Sequence, residues 1–496
     1  MNDDQSEIMT FLGDPATYGN IAPQRIDTHI SAVFLAGDRA WKLKKAVTLS
    51  FLDFSTRDQR RRACEAELAV NRTHAPDLYL GVVAITRDAD GRLRLGGTGP
   101  AVDWLVSMRR FDQADLLSAR LEAGQVDRKL IQQVAAATWA AHVGAAIRAD
   151  MDPVANLLWV IKTNATAMAA HLAVLDGDKV ARLTQASHRA LAEQSQHLSA
   201  RAAAGKVRWC HGDLHCGNIC LYQGRPTLFD AIEFSPDIAC IDVFYDLAFL
   251  LMDLDHRGAR PLASYALNHY LDLSGDYDGV ALLALYLSLR AAIRAHVAAA
   301  MGQPDQARGY LDRALAYLSP PPPRLLAVGG LSGSGKSRMG RELAPFLGVP
   351  GAVVVRSDAL RKQLCGCPLT EKLPASAYDA STSQRTYQAL LDHCRALLQA
   401  GHAVIADAVF AKPEQRAAIA ALAQDAGVRF DGLWLWTEPD VALARIDGRT
   451  ANASDATSEV LRRQLAQDVG AMDWLRLHTG TSKDEALAAG RAALCL

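Results

Sequence analysis

Residues 330–337 read Gly-Leu-Ser-Gly-Ser-Gly-Lys-Ser, and no other run constrains the fold of this chain as tightly. The apolar stretch RLLAVGG before it has the length and composition of a buried strand. The stretch SRMGRELAPFL after it reads as a helix. Glycines at 330, 333 and 335 let successive backbone N–H groups turn inward around an anion, and the helix N-terminus adds its dipole. Three further strands are predicted downstream. AVVVRSDALRKQL carries Asp358, HAVIADAVF ends at Asp407, and FDGLWLWTEPD leads into a helix with Arg445. Strands alternating with helices predict a parallel sheet whose ligands sit at the carboxyl ends of its strands. Asp358 and Asp407 are therefore expected at the phosphate-binding edge.

Directly before this region stand Ser319 and four consecutive prolines, Pro320 to Pro323. Such a run cannot continue a helix or donate to a sheet ladder, and it favours a stiff spacer. At 496 residues the chain is also too long for one core. The sequence therefore predicts domains at 1–318 and 324–496, joined by a linker at 319–323. Within the first, residues 25–111 are strand-rich, with one helix near 56–74 capped by Ser55. Residues 112–318 are mostly helical, with long runs near 128–148, 155–175, 178–203 and 278–316. The expected fold class is α+β followed by α/β: a two-lobed domain, then a P-loop parallel-sheet domain. The last segment, about 471–496, is Ala-rich and expected to be helical, without assignable chemistry.

The most informative stretch of the first half is His211-Gly212-Asp213-Leu214-His215-Cys216-Gly217-Asn218, followed by a strand TLFDAIEF carrying Asp230. Phosphoryl transfer needs a carboxylate for the acceptor hydroxyl proton and hard oxygen ligands for the cation that neutralises the phosphates. Asp213 fits the first need as catalytic base, and Asn218 with Asp230 fits the second as Mg²⁺ ligands. Soft donors also gather here, and Cys210, His211, His215, Cys216 and Cys220 form an alternative zinc cluster. Their spacing matches no common zinc pattern.

This loop resembles the HGDxxxxN segment of the aminoglycoside phosphotransferase and choline kinase-like family, with a protein-kinase-like two-lobed fold. The resemblance covers roughly residues 25–310. It implies that Lys42, in Ala40-Trp41-Lys42, binds the α/β-phosphates of ATP, that Glu67 is its ion-pair partner, and that Met108 lies where adenine is carried. Asp242 and Asp246, in DVFYDLAFL, would buttress the loop, or serve a structural role as i,i+4 neighbours. Two departures are visible. No GxGxxG precedes the lysine strand, only Gly37, and Lys44 shares a strand face with Lys42. Either lysine could serve; the Ala-x-Lys context favours Lys42.

The second half resembles small P-loop kinases of the zeta-toxin, polynucleotide kinase and gluconate kinase type, over about residues 324–470. The resemblance implies an ATP site at Gly330, Ser332, Gly333, Ser334, Gly335, Lys336 and Ser337, with Ser337 also on Mg²⁺. It makes Asp358 the base for the acceptor, Arg361 a substrate-side cation, Asp407 a Walker-B-like metal position, and Arg445 and Arg449 lid arginines. Arg445 reads equally well as a surface charge. No glutamate stands beside Asp407 to polarise water, which favours transfer over hydrolysis.

Bulk properties exclude several classes. A net charge of -1 provides no overall attraction for nucleic acid or an anionic membrane. The N-terminus MNDDQSEIMT lacks a signal-peptide pattern, and no apolar run is read as spanning a bilayer. Nine scattered cysteines suit reduced thiols, so a cytoplasmic protein is expected. Cys365 and Cys367 read as loop or core thiols. Arg290 and Arg294, on an otherwise apolar helix, are expected to meet acidic partners, with an anionic substrate as the lesser alternative. The expected function is ATP·Mg-dependent phosphorylation of small-molecule hydroxyls at two sites. Alternatives are a regulatory ATP sensor in one module, or a macromolecular acceptor for the P-loop module. Nothing in the sequence identifies the acceptors or an oligomeric state.

Overall fold

Alternation of apolar and polar residues organises the first 110 residues into an antiparallel sheet. In the computed structural model, which describes residues 4–49, 52–448 and 457–496, the strands Gln24–Asp27, Ser31–Ala36, Arg39–Lys44, Ala101–Arg109, Tyr79–Arg87 and Leu93–Leu95 lie side by side in that order. The sheet is antiparallel throughout, with Lys42 opposite both Val33 and Val106. Strands 31–36 and 39–44 are joined by a tight turn in which Gly37 has φ +58°. Among the described residues, that turn contributes one glycine, Gly37. The helix Arg57–His74 packs on the sheet, and its cap is Thr56, in a reciprocal capping box with Gln59, rather than Ser55.

The chain packs as two compact units, residues 1–156 with 197–247, and residues 157–196 with 248–496. These units do not divide at the proline run. The helices between 248 and 318 share a unit with the parallel sheet because the helix Arg260–Ser274 is docked on that sheet's edge strand. The Asn268 side chain donates to Ala352 O at 3.1 Å and accepts from Val354 N at 2.6 Å.

The long helical run expected near 278–316 is two helices, Leu283–Ala300 and Pro304–Tyr317, broken where Pro304 begins the second. The stretch Tyr277–Ala300 is long and apolar enough to cross a membrane, contrary to the expectation from sequence, and 67% of its most apolar window is buried inside the protein. Its two arginines meet aromatic rings: Arg290 lies over Phe249 at 4.7 Å and Arg294 over Tyr310 at 5.7 Å.

The parallel sheet has the order Val353–Arg356, Val404–Asp407, Arg324–Gly330, Arg429–Trp436, Leu475–His478. Its core is aliphatic, including Leu326, Val328, Val354, Ile405, Leu433 and Leu435. The fifth strand corrects the sequence reading of 471–496 as helix. The helix there is confined to Lys483–Leu494, after a capping box at Ser482.

Candidate active sites

Strand alternation places Lys42 and Lys44 on the same face of Arg39–Lys44, against the helix Arg57–His74. Glu67 of that helix is fully buried and takes both lysines, Lys42 Nζ at 2.8 Å on Oε1 and Lys44 Nζ at 2.5 Å on Oε2. The two lysines then diverge. Lys42 reaches Asp230 at 2.5 Å, and Lys44 reaches Glu233 at 2.5 Å. Burial opposes charge on Glu67, but Lys42 and Lys44 overcome it and bring its pKa down to about 2. Burial likewise opposes charge on Lys44, yet Glu67 and Glu233 lift it to about 12. Burial outweighs Lys44 at Glu233, whose pKa is raised, so Glu233 is the weaker acid of the pair.

Asp230 does not lie on a strand. The strand ends at Leu228, and Asp230 takes φ +62°, a left-handed conformation that turns it out of the ladder. It is held from outside: its amide donates to Tyr79 Oη at 3.1 Å. Asn71 bridges the next residue, accepting from Ala231 N at 2.8 Å and donating to Ala231 O at 3.1 Å.

The loop 210–218 is clamped by Asp246, buried on the helix Val243–His256, which accepts from His211 N at 3.1 Å and Gly212 N at 2.9 Å. Gly212 has φ +82°, and a Cβ there would stand 3.1 Å from Ile232, so the turn requires glycine. Burial depresses the His211 pKa, and its Nε2 lies 2.9 Å from Phe229 O, an arrangement that fits a neutral ring donating from Nε2. The Phe229 amide in turn donates to Asn218 O at 3.0 Å. Asn218 donates through Nδ2 to Asp213 Oδ2 and Asp213 O, both at 2.9 Å. Lys42, Glu67 and Asp230 meet in one ion network, while Asn218 is tied by its carbonyl to Phe229, the residue before Asp230, and holds Asp213 through its amide. The donor set toward a cation is an amide oxygen and carboxylates, hard ligands that fit Mg²⁺.

Met108 lies buried in the sheet core with Leu35, Ala40 and Val106. Asp242 is not on a helix face with Asp246. It ends the strand Cys240–Asp242 and pairs with buried Arg201 at 2.7 Å. The five soft donors around the loop do not form a zinc site. Among the described residues the converging trio is His142, Cys210 and Asp246, within 4.8 Å of one another. Asp246 there already serves the loop amides and His142. Burial pushes the Cys210 thiol well above its ordinary pKa.

The second site is built around the strand Arg324–Gly330 and the helix Lys336–Leu343. A Cβ on Gly330, at φ +140°, would lie 2.4 Å from Leu435 O, so glycine is obligatory there. Lys336 opens the helix and lies back across the loop, with Nζ 3.1 Å from Leu331 O. Ser337 hydrogen-bonds Asp407, the last residue of its strand. Burial raises the Asp407 pKa, opposed by Arg356, Lys336 and Ser337 in turn. A serine hydroxyl against a buried carboxylate beside the phosphate loop is a hard-oxygen pair suited to Mg²⁺. Asp358, in the first turn of Ser357–Leu364, adds its charge to the same group, acting on both Arg356 and Asp407.

Several sequence expectations are relocated. Arg361 is buried and donates to Ala377 O at 2.8 Å while lying over the Tyr378 ring, so it anchors the turn Ala375–Tyr378. Arg445 donates to Thr479 O at 2.5 Å, and the Thr479 hydroxyl donates to Ser334 O at 2.8 Å inside the phosphate loop. These residues border a cleft of about 190 Å³ with Gly335, Arg338 and Ser482. Thr479 belongs to the terminal segment that the sequence left without chemistry. Ser332 N donates to Gln464 Oε1 at 2.8 Å, a contact from the helix Ser458–Leu465 that no motif signals. Arg449 lies outside the described residues.

Two family models match separate stretches of the chain. The phosphotransferase enzyme family matches residues 112–283, and the AAA domain matches residues 325–468. The uncharacterized protein Rv2004c of Mycobacterium tuberculosis is 30% identical over 462 residues, covering 90% of each chain. Among solved structures, a choline/ethanolamine kinase family protein from Mesorhizobium loti is 15% identical, covers 63% of this chain and 94% of its own, and has a TM-score of 0.39. The Mycobacterium tuberculosis APS kinase CysC is 21% identical, covers 36% of this chain and 99% of its own, and has a TM-score of 0.28.

Proposed function

Because the chain belongs to the same family as the mycobacterial protein Rv2004c and carries a phosphotransferase segment ahead of an AAA-domain segment, we propose that it is a bifunctional kinase transferring the γ-phosphate of ATP to small-molecule hydroxyls. The observation that carries this reading is the network in which buried Lys42 is shared by buried Glu67 and half-exposed Asp230, with the Asp213–Asn218 pair on the preceding loop. In the first site Lys42, steadied by Glu67, positions the α/β-phosphates, and Asp213 takes up the proton of the acceptor hydroxyl. Asn218 and Asp230 would hold Mg²⁺, which supplies charge neutralisation at the phosphates when bound. In the second site the loop 330–337 cradles the phosphates, Lys336 meets the β/γ oxygens, and Asp358 orients the second acceptor. Ser337 and Asp407 would hold its cation.

The proposed acceptors are sugars, amino alcohols or nucleosides, and the proposed setting is the cytoplasm. The near-neutral charge argues against a nucleic-acid end as acceptor. The test is a metabolite-library screen with radiolabelled ATP on the full chain and on separate Asp213→Asn and Lys336→Ala variants. Two catalytic sites predict that each variant loses a different labelled product, the first by about 10²–10⁴-fold for loss of a general base. A variant that leaves every product untouched would show that its module senses ATP without turning it over.

A further inference from the structure

A helix outside the strand-helix repeats of the parallel sheet sends a buried carboxylate to the second site. Asp272, on Arg260–Ser274, accepts through Oδ2 from Arg341 and, at 3.0 Å, from Arg356 Nη1. Arg341 belongs to the helix that follows the phosphate loop. Arg356 ends the edge strand and stands opposite Asp407 in the sheet register. Its Nε is 3.4 Å from Asp407 Oδ2, beyond a good charge-assisted hydrogen bond. Asp272, Arg356 and Asp407 thus form a buried chain of acid, base and acid. Asn268, one turn earlier on the helix, pins the strand backbone through Ala352 and Val354, and Gln363 donates to Asp272 O at 3.2 Å.

The arrangement has a definite electrostatic consequence. A guanidinium matches a carboxylate best as a two-pronged pair. While Asp272 holds Nη1 at 3.0 Å, Arg356 meets Asp407 through Nε at a loose 3.4 Å. Without Asp272, Arg356 is at liberty to close fully on Asp407 and neutralise the carboxylate that stands beside Ser337. We propose that Asp272 is a positioning residue of the P-loop site, restraining Arg356 so that Asp407 stays available to a nucleotide-bound divalent cation. This rests on reading the loop 330–337 as an ATP site. It makes a helix from the phosphotransferase-matched segment part of the other module's machinery.

The test uses the full chain carrying Lys42→Ala, so that nucleotide binding reports the second site, and titrates a fluorescent methylanthraniloyl ATP with Mg²⁺ and with EDTA. Asp272→Asn is expected to weaken binding about 10–100-fold in Mg²⁺, the usual cost of losing an outer-shell partner, and to leave binding in EDTA unchanged. Asn268→Ala, which removes only the backbone clamp, is expected to lower the unfolding temperature without altering the ratio of the two affinities. The charge-balanced Asp272→Asn/Arg341→Met double variant makes the same prediction and replaces the single variant if that one does not fold. Equal losses in Mg²⁺ and EDTA, or no loss in either, would overturn the positioning role. Binding in the Lys42→Ala parent that Lys336→Ala fails to remove would instead sink the ATP reading itself, and the proposal with it.

Discussion

Glu67→Gln is the most informative single change in the first site, because it keeps the side-chain shape and removes one charge. Glu67 is fully buried, with Lys42 at 2.8 Å and Lys44 at 2.5 Å. Removing one member of a buried ion pair costs about 3–5 kcal/mol, because the charge left behind stays out of water. Each lysine retains a second acid, Lys42 on Asp230 and Lys44 on Glu233, so the lower end, about 3 kcal/mol, applies here. At about 1.4 kcal/mol per tenfold, that corresponds to about 100-fold faster amide exchange. The effect should be confined to the helix Arg57–His74 and the strand Arg39–Lys44. Hydrogen exchange followed by mass spectrometry reads both segments separately from the parallel sheet. A change below about threefold in those segments, equivalent to about 0.7 kcal/mol, would refute the claim that this network organises the site.

Two further outcomes follow from the geometry. Asp246→Ala leaves the amides of His211 and Gly212 without their acceptor, at about 1–3 kcal/mol for each buried donor. Labelled product dependent on Asp213 should disappear while product dependent on Lys336 persists, as measured in the same radiolabel screen. His402 is partly buried, and the loss of water around its ring pulls its pKa down to about 4, against an ordinary value of 6.5. Between those values the unfolded chain binds the extra proton, so stability is full above 6.5 and falls as pH drops toward 4. The loss is about 1.4 kcal/mol per unit, or about 3 kcal/mol in all. Chemical denaturation of wild type and His402→Gln across that window should show a shallower decline in the variant; parallel curves would contradict the assignment.

What was legible in the sequence were groups whose chemistry is local. The glycines of 330–337, the Asp213–Asn218 spacing and the alternation that puts Lys42 beside Lys44 each depend on a few adjacent residues. Partners brought in by tertiary packing left no such trace. Asp246 holds the amide of His211 from 35 residues away, and Asn268 holds the amide of Val354 across 86. Glu233 was within reach, since a second acid three residues past Asp230 matches a second lysine two past Lys42. The strand Leu475–His478 gives little sign of itself because its alternation, Leu-Arg-Leu-His, runs over only four residues at a largely exposed sheet edge. The strand before Asp230 was drawn too long because a positive φ in a non-glycine residue has no sequence signature. Arg290 and Arg294 also lie over the rings of Phe249 and Tyr310, contacts that composition does not distinguish from ordinary apolar packing.

The clamp between Asn268 and the backbone of Val354 also orders events at the ribosome. Translation proceeds at about 5–20 residues per second, so the strand emerges about 4–17 s after the side chain that will hold it. During that interval the Asn268 side chain has Ser264 O of its own helix to bond, but not yet the strand backbone at Ala352 and Val354. Nascent chains stalled before residue 350 should therefore leave this helix accessible to protease. Chains long enough to complete the sheet should protect it, so that the last third of the polypeptide finishes the folding of a segment made earlier.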